Sequence, residues 1–354
     1  MSLAALAALL AASAAAETPE AVVARAVARV DALVAQETSK DARDIEALDR
    51  RAGAQFETLS PLGWRAAAPL GAAARDQKRP PKTRLFAVIF LGKLHDPAAF
   101  APLSDVLLDA EQDVDLRAAA AQALAALDVP AAAARGTYCA VAAQSELPRA
   151  VLDEALISLA RLGCDDGASL ERIARAFGPR PSGRDLDAVL RAASALGRSR
   201  GAASLRSILA LIGYFPAGGE PRAAAIAALA RRRDDLIGAP AAEALACARE
   251  ASRSESGSPA SMLRVVELLD ALDPTDDALL PMTANADAEV LAAAAEALAR
   301  RKAVKALPAL EAAVAGALND PRFAPKPGRP DPSLLLSRLE TATQALRLAR
   351  GKER

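Results

Sequence analysis

Residues 113–124 read DVDLRAAAAQAL, and residues 287–298 read DAEVLAAAAEAL. Each run opens on the charged turn that comes before a helix. Four alanines then lead to a leucine. Arg117, Ala120 and Leu124 keep the i, i+3, i+7 spacing of one helix face, and Leu291, Ala294 and Leu298 repeat it. Alanine matches carry little weight in this chain, because 94 of its 354 residues are alanine. The fixed places of the leucine and of the charged turn before it are what mark a repeat.

A shorter form of the phrase recurs along the chain. Arg84, Ala87 and Leu91 give the first copy, and Arg117, Ala120 and Leu124 follow 33 residues later. Leu152, Ala155 and Leu159 come next, then Val189, Ala192 and Leu196, then Arg222, Ala225 and Leu229. Between the copies lie junctions such as Leu91-Gly92, Asp96-Pro97 and Ala101-Pro102-Leu103, where one helix stops and another begins. Pro69-Leu70, Pro102-Leu103 and Pro308 with Leu310 stand near the starts of the intervening helices, where a missing amide donor costs little. No alternating β-branched run interrupts the series.

This pattern predicts an all-α solenoid, a superhelix of stacked antiparallel helical hairpins. About eight pairs are expected, at approximately 60–94, 97–128, 131–163, 165–199, 201–233, 239–273, 277–302 and 303–350. In the sixth, either Leu269 or Leu272 could be the anchor. Residues 319–333, NDPRFAPKPGRPDPS, form a Pro-rich loop. Upstream, Val22, Val23, Val27, Val30, Leu33 and Val34 mark one amphipathic helix and Ile45, Leu48 and Phe56 another, so residues 17–58 are read as caps on a solenoid spanning 59–350. Leu91, Leu124, Leu159, Leu196, Leu229 and Leu298 are expected to fill the seam between layers. Trp64 is expected to plug the end of the core.

The stretch from Leu91 to Leu127, LGKLHDPAAFAPLSDVLLDAEQDVDLRAAAAQALAAL, resembles HEAT repeats of the short type found in phycobilisome lyase-related proteins. The likeness extends over most of residues 60–315 and departs where Leu152, Val189, Met262 and Leu291 replace the arginine. It implies a protein-binding scaffold. It also implies two alternatives from that family: a DNA-binding protein or DNA glycosylase, and a bilin lyase or chromoprotein assembly factor. Tetratricopeptide and ankyrin repeats have compatible lengths, but their phrases are absent.

Composition narrows the chemistry. The chain carries 44 Lys+Arg against 44 Asp+Glu, so no bulk charge draws it to nucleic acid or an anionic membrane. One histidine and three cysteines exclude multi-His metal centres and tetracysteine zinc sites. His95 lies in a turn beside Asp96 with no catalytic partner in view. No catalytic, cofactor-binding or metal-binding residue is expected. Arg84, Arg117 and Arg222 share one phase of the repeat. They read either as a basic stripe or, preferably, as a structural ladder pairing with turn carboxylates such as Asp76, Asp109 or Asp113. The basic runs at 77–84, 231–233 and 300–302 read as solvated turns.

Met1 to Ala16, MSLAALAALLAASAAA, is uncharged and too short to span a bilayer. With small residues at Ala14 and Ala16 before Glu17, it fits a secretory signal, although no Lys or Arg follows Met1. Export to a periplasm or beyond is therefore expected, with cytoplasmic residence the alternative. Cys139, Cys164 and Cys247 are read as buried free thiols, a Cys139–Cys164 bridge being open to an exported chain. A protein partner is expected.

Overall fold

The computed structural model describes residues 17–36, 42–254, 259–325 and 327–352. The expected signal sequence, Met1 to Ala16, lies outside the described residues. Among those described, the regular structure is entirely helical. The chain folds as two compact units that divide between Ser158 and Leu159.

In the first unit, α1 (Pro19–Ala35) and α2 (Ala42–Glu57) precede a 3-10 stretch, Ser60–Ala66. Then come α3 (Ala67–Arg75), α4 (Pro81–Lys93), α5 (Phe100–Leu108), α6 (Val114–Ala125) and α7 (Ala131–Ala142). Helix α8 (Arg149–Leu162) crosses the division. Two packing patterns are superposed. Partners in a pair touch, α3 with α4 and α5 with α6, and so do equivalent helices of successive pairs, α3 with α5 and α4 with α6. Helix α1 lays Val23, Ala26, Val27 and Val30 against α3 and α4, which closes that end of the layer.

The second unit repeats both patterns. It contains α9 (Gly167–Ala176), α10 (Gly183–Arg198), α11 (Ala202–Tyr214), α12 (Glu220–Arg231), α13 (Ala239–Ser254) and α14 (Pro259–Leu272). A 3-10 turn at Leu280–Ala284 is followed by α15 (Ala288–Arg300), α16 (Leu307–Gly316) and α17 (Pro332–Lys352). The pairs α9/α10, α11/α12, α13/α14 and α16/α17 pack internally. The second helices α10, α12, α14, α15 and α17 touch in succession. In the seventh pair the first helix shrinks to that 3-10 turn. Met282 and Thr283 are its buried residues, and Leu279 just before it is buried too.

The local chemistry follows the sequence phrase. Asp113 Oδ1 accepts the amide of Asp115 at 2.9 Å, and Asp287 Oδ1 accepts that of Glu289 at 3.0 Å, so both quoted runs begin on a capping aspartate. Leu91, Leu124, Leu159, Leu196, Leu229 and Leu298 are all at most 1% exposed. In the sixth pair the buried anchor is Leu269, while Leu272 is half-buried. Of the Pro-rich stretch, Pro321–Phe323 forms a 3-10 turn, and Arg322 Nη1 donates to the Asn285 carbonyl at 3.0 Å.

Glycine sets the closest approach between layers. A Cβ added at Gly92 would lie 2.8 Å from Ala123 Cβ and 3.1 Å from Ala123 Cα; one added at Gly197 would lie 2.9 Å from Ala228 Cα. Each pair is 31 residues apart, on equivalent positions of adjacent second helices. Exposed helix glycines usually gain about 1 kcal/mol on becoming alanine. Gly92→Ala should instead destabilise the chain by about 1–3 kcal/mol, because backbone must move. Gly136 in α7 has open space around it. Gly136→Ala should therefore stabilise by about 0.5–1 kcal/mol. Urea unfolding of the two variants checks the contrast, and equal effects at both sites would refute the close approach.

Candidate functional site

The three phase-matched arginines are buried, with Arg117 only 1% exposed. Arg84 Nε donates to the Ala74 carbonyl at 2.9 Å, and Arg117 Nε to that of Leu107 at 3.1 Å. Both acceptors lie in the last turn of the preceding helix, where carbonyls lack helical donors. The outer nitrogens reach forward to the next pair: Arg84 Nη2 bonds Gln112 Oε1, Arg117 Nη2 bonds Gln144 Oε1 at 2.6 Å, and Arg222 Nη2 bonds Glu250 Oε1 at 3.1 Å.

For Arg84 and Arg117 these bonds correct the expected carboxylate pairing, whereas Arg222 does pair with a carboxylate, that of Glu250 on the next helix. Asp76 Oδ1 accepts the Lys78 amide, Asp113 caps α6, and Asp109 is joined to Arg84 only through the Gln112 side chain. Asp109 is held below the usual carboxylate range by Gln112 first, then by the Glu111 amide, with smaller help from the charges of Arg117 and Arg84. Burial pulls Arg117 below the ordinary arginine value, and Asp109 opposes it. A guanidinium spent on a helix end and a neighbouring amide is structural.

Trp64 does not plug the core. It is 62% exposed in the 3-10 stretch, and the Arg65 guanidinium lies 5.7 Å from its ring centre. Gly63 takes φ 53° just before it, and α1 fills the role assigned to the indole. Trp64 instead borders a cleft of about 660 Å³ with Pro69, Pro102 and the exposed Arg75–Asp105 pair. His95 Nδ1 lies 3.3 Å from the Ala126 carbonyl, a contact between successive pairs. Among the described residues no group of three or more His, Cys, Asp or Glu is arranged to hold a metal ion.

Two cysteines also depart from the free-thiol expectation: Cys139 and Cys164 are disulfide-bonded. Cys247 is free and half-buried. Burial first, then Glu243 and Glu250, pushes its thiol up and away from nucleophilic character.

A groove of about 710 Å³ runs along the second helices α14, α15 and α17. Its apolar lining includes Leu263, Ala271 and Ala293. Its charges are paired across helices: Arg300 Nη2 lies 2.6 Å from Asp270 Oδ2, and Arg338 grips Glu296 with two bonds of 2.7 and 2.9 Å. Arg338 holds the Glu296 carboxyl below its usual range. A shallower extension of about 390 Å³ continues between α15 and α17 past Ser337 and Thr341.

No family model and no characterised protein matches this chain.

The groove was not read from the sequence. Its signal was there: Ala293, Glu296 and Arg300 recur at helical spacing on the face opposite Leu298, and Arg264, Glu267 and Ala271 do the same on α14. For the arginine ladder, Arg117→Met should cost about 1.5–3 kcal/mol in urea unfolding, since it deprives the Leu107 carbonyl and Gln144 of a charged donor. A loss below about 0.5 kcal/mol would show that those bonds contribute nothing.

Proposed function

We propose that this chain is a non-enzymatic scaffold of the HEAT-repeat kind whose second-helix face binds another protein. The observation that carries this reading is the groove over α14, α15 and α17: alanine-floored, with a balanced set of paired charges at its rim. Such a surface suits a polypeptide of mixed charge. Because stacked helices build it in advance, a partner pays little ordering entropy on the scaffold's side. The charged pairs give register and orientation more than raw affinity.

We further propose that the protein works in an oxidising compartment, periplasmic or secreted. The disulfide-bonded cysteines support this, as does the uncharged stretch ending before Glu17. No described helix is long and apolar enough to cross a membrane.

The test is capture from an envelope extract on the immobilised chain beginning at Glu17, with the retained protein purified and its affinity measured. Ala293→Arg places a bulky side chain on the groove floor and should weaken binding at least about tenfold, about 1.4 kcal/mol. A partner held equally well by Ala293→Arg, or no stoichiometric partner at all, contradicts the reading. The N-terminus of the native protein should be Glu17, and an intact Met1 or Ser2 removes the export proposal.

A further inference from the structure

The positions two residues beyond the seam leucines show a pattern of charge. After Leu196 and Leu229 they hold Arg198 and Arg231, in the last turns of α10 and α12. Both side chains are exposed, and the two helices pack together. On α14 the equivalent position after Leu269 is Ala271, and no charge is supplied there. The exposed arginine of α14 is instead Arg264, in the first half of the helix.

Helix α12 packs against both α10 and α14, and two observations draw Arg231 toward the other two guanidinium groups. Arg231 Nη1 donates to Ser194 Oγ on α10 at 3.3 Å, and that hydroxyl donates to the Ala160 carbonyl of α8 at 3.3 Å, so Arg231 is held leaning back toward the helix of Arg198. Arg198 and Arg264 both depress the Arg231 pKa, behind burial as the largest cause. Neither Arg198 nor Arg231 makes an ion pair among the described residues, whereas Arg264 has Glu267 at 2.5 Å.

Attraction to the negative end of a helix explains why an arginine sits in the last turn of α10 and again of α12. It does not explain Arg264, which lies far from the C-terminus of α14 and, though paired with Glu267, still sets its charge against that of Arg231. Like charges brought together on an open face repel in the free protein and are relieved by an anion.

Resting on the scaffold reading above, we propose that Arg198, Arg231 and Arg264 form an anion-recognition patch that receives an acidic segment of the protein partner. Adjacent second helices lie about 8–10 Å apart, so the three span about 20 Å. That matches about six residues of extended peptide. A nucleic acid would need a longer basic track. Here the track ends at Glu267 and Asp270, and the whole chain has a formal charge of zero. The adjoining groove then takes the mixed-charge remainder of the same partner.

Fluorescence anisotropy of a labelled octaglutamate peptide on the full chain tests this directly, at about 50 mM salt and again at higher salt to screen the charges. Binding should be salt-sensitive. It should weaken at least about tenfold in Arg198→Glu with Arg231→Glu, and by a smaller factor in the milder Arg231→Gln. Arg206→Glu, on the exposed side of α11, should leave it unchanged. Unaltered urea midpoints establish that the variants are folded. Absence of octaglutamate binding, equal loss in Arg206→Glu, or tighter binding of an oligothymidylate abolished by the same double substitution would overturn the acidic-segment assignment. If the envelope partner is still captured through the groove in that event, the scaffold reading stands without the patch; if capture also fails, both fall.

Discussion

Gly92 sits against Ala123 and Gly197 against Ala228, each so closely that a single methyl group would strike the facing helix. This contact between second helices is the constraint on which the rest depends. Helices of nine to sixteen residues, such as α3 and α10, are marginal alone in water. The alanine that makes them good helix formers gives each little apolar surface to bury. Close approach is what turns small side chains into a packed interior: it lets Leu91, Leu124, Leu196 and Leu229 reach across and exclude water entirely. Stability in such a stack accumulates from neighbour to neighbour.

Hydrogen bonding reinforces the same direction. Arg84 and Arg117 bind the end of one helix behind them and a glutamine in the next pair ahead, so each joins two layers with one side chain. Because their charge is consumed inside, they leave the outer face of the second helices to other residues. On that face the second unit separates its charges by position. Arginines gather toward α10 and α12, and paired acids and bases follow toward α15 and α17. A partner meeting this surface would find charge of one sign first and a balanced groove beside it.

The helical class was legible because it rests on local rules. A charged turn, an alanine run and a leucine seven residues after Arg117 or Leu291 mark a helix without knowledge of what it touches. Partners across layers were much less legible. Gln112 and Gln144 lie 28 and 27 residues from the arginines they satisfy, and no short-range pattern distinguishes them from the aspartates nearby. Trp64 was misjudged because a large aromatic near an end looks like a plug, whereas α1 already covers that end. The seventh pair kept the phrase of its second helix while Pro281 and a short connection reduced the first to one 3-10 turn. Arg198 and Arg231 were visible at their 33-residue spacing, but Arg264 joins them from a different turn of its helix, which only packing reveals.

Native-state hydrogen exchange on Gly197→Ala is the most direct measurement of the central claim. Amides of α10 and α12, and to a lesser degree those of α9, α11 and α14, should exchange faster than in the parent chain. Amides of α16 and α17, several layers away, should keep their rates. A uniform acceleration through every helix would mean that the chain unfolds as one indivisible core, and would contradict layer-by-layer support.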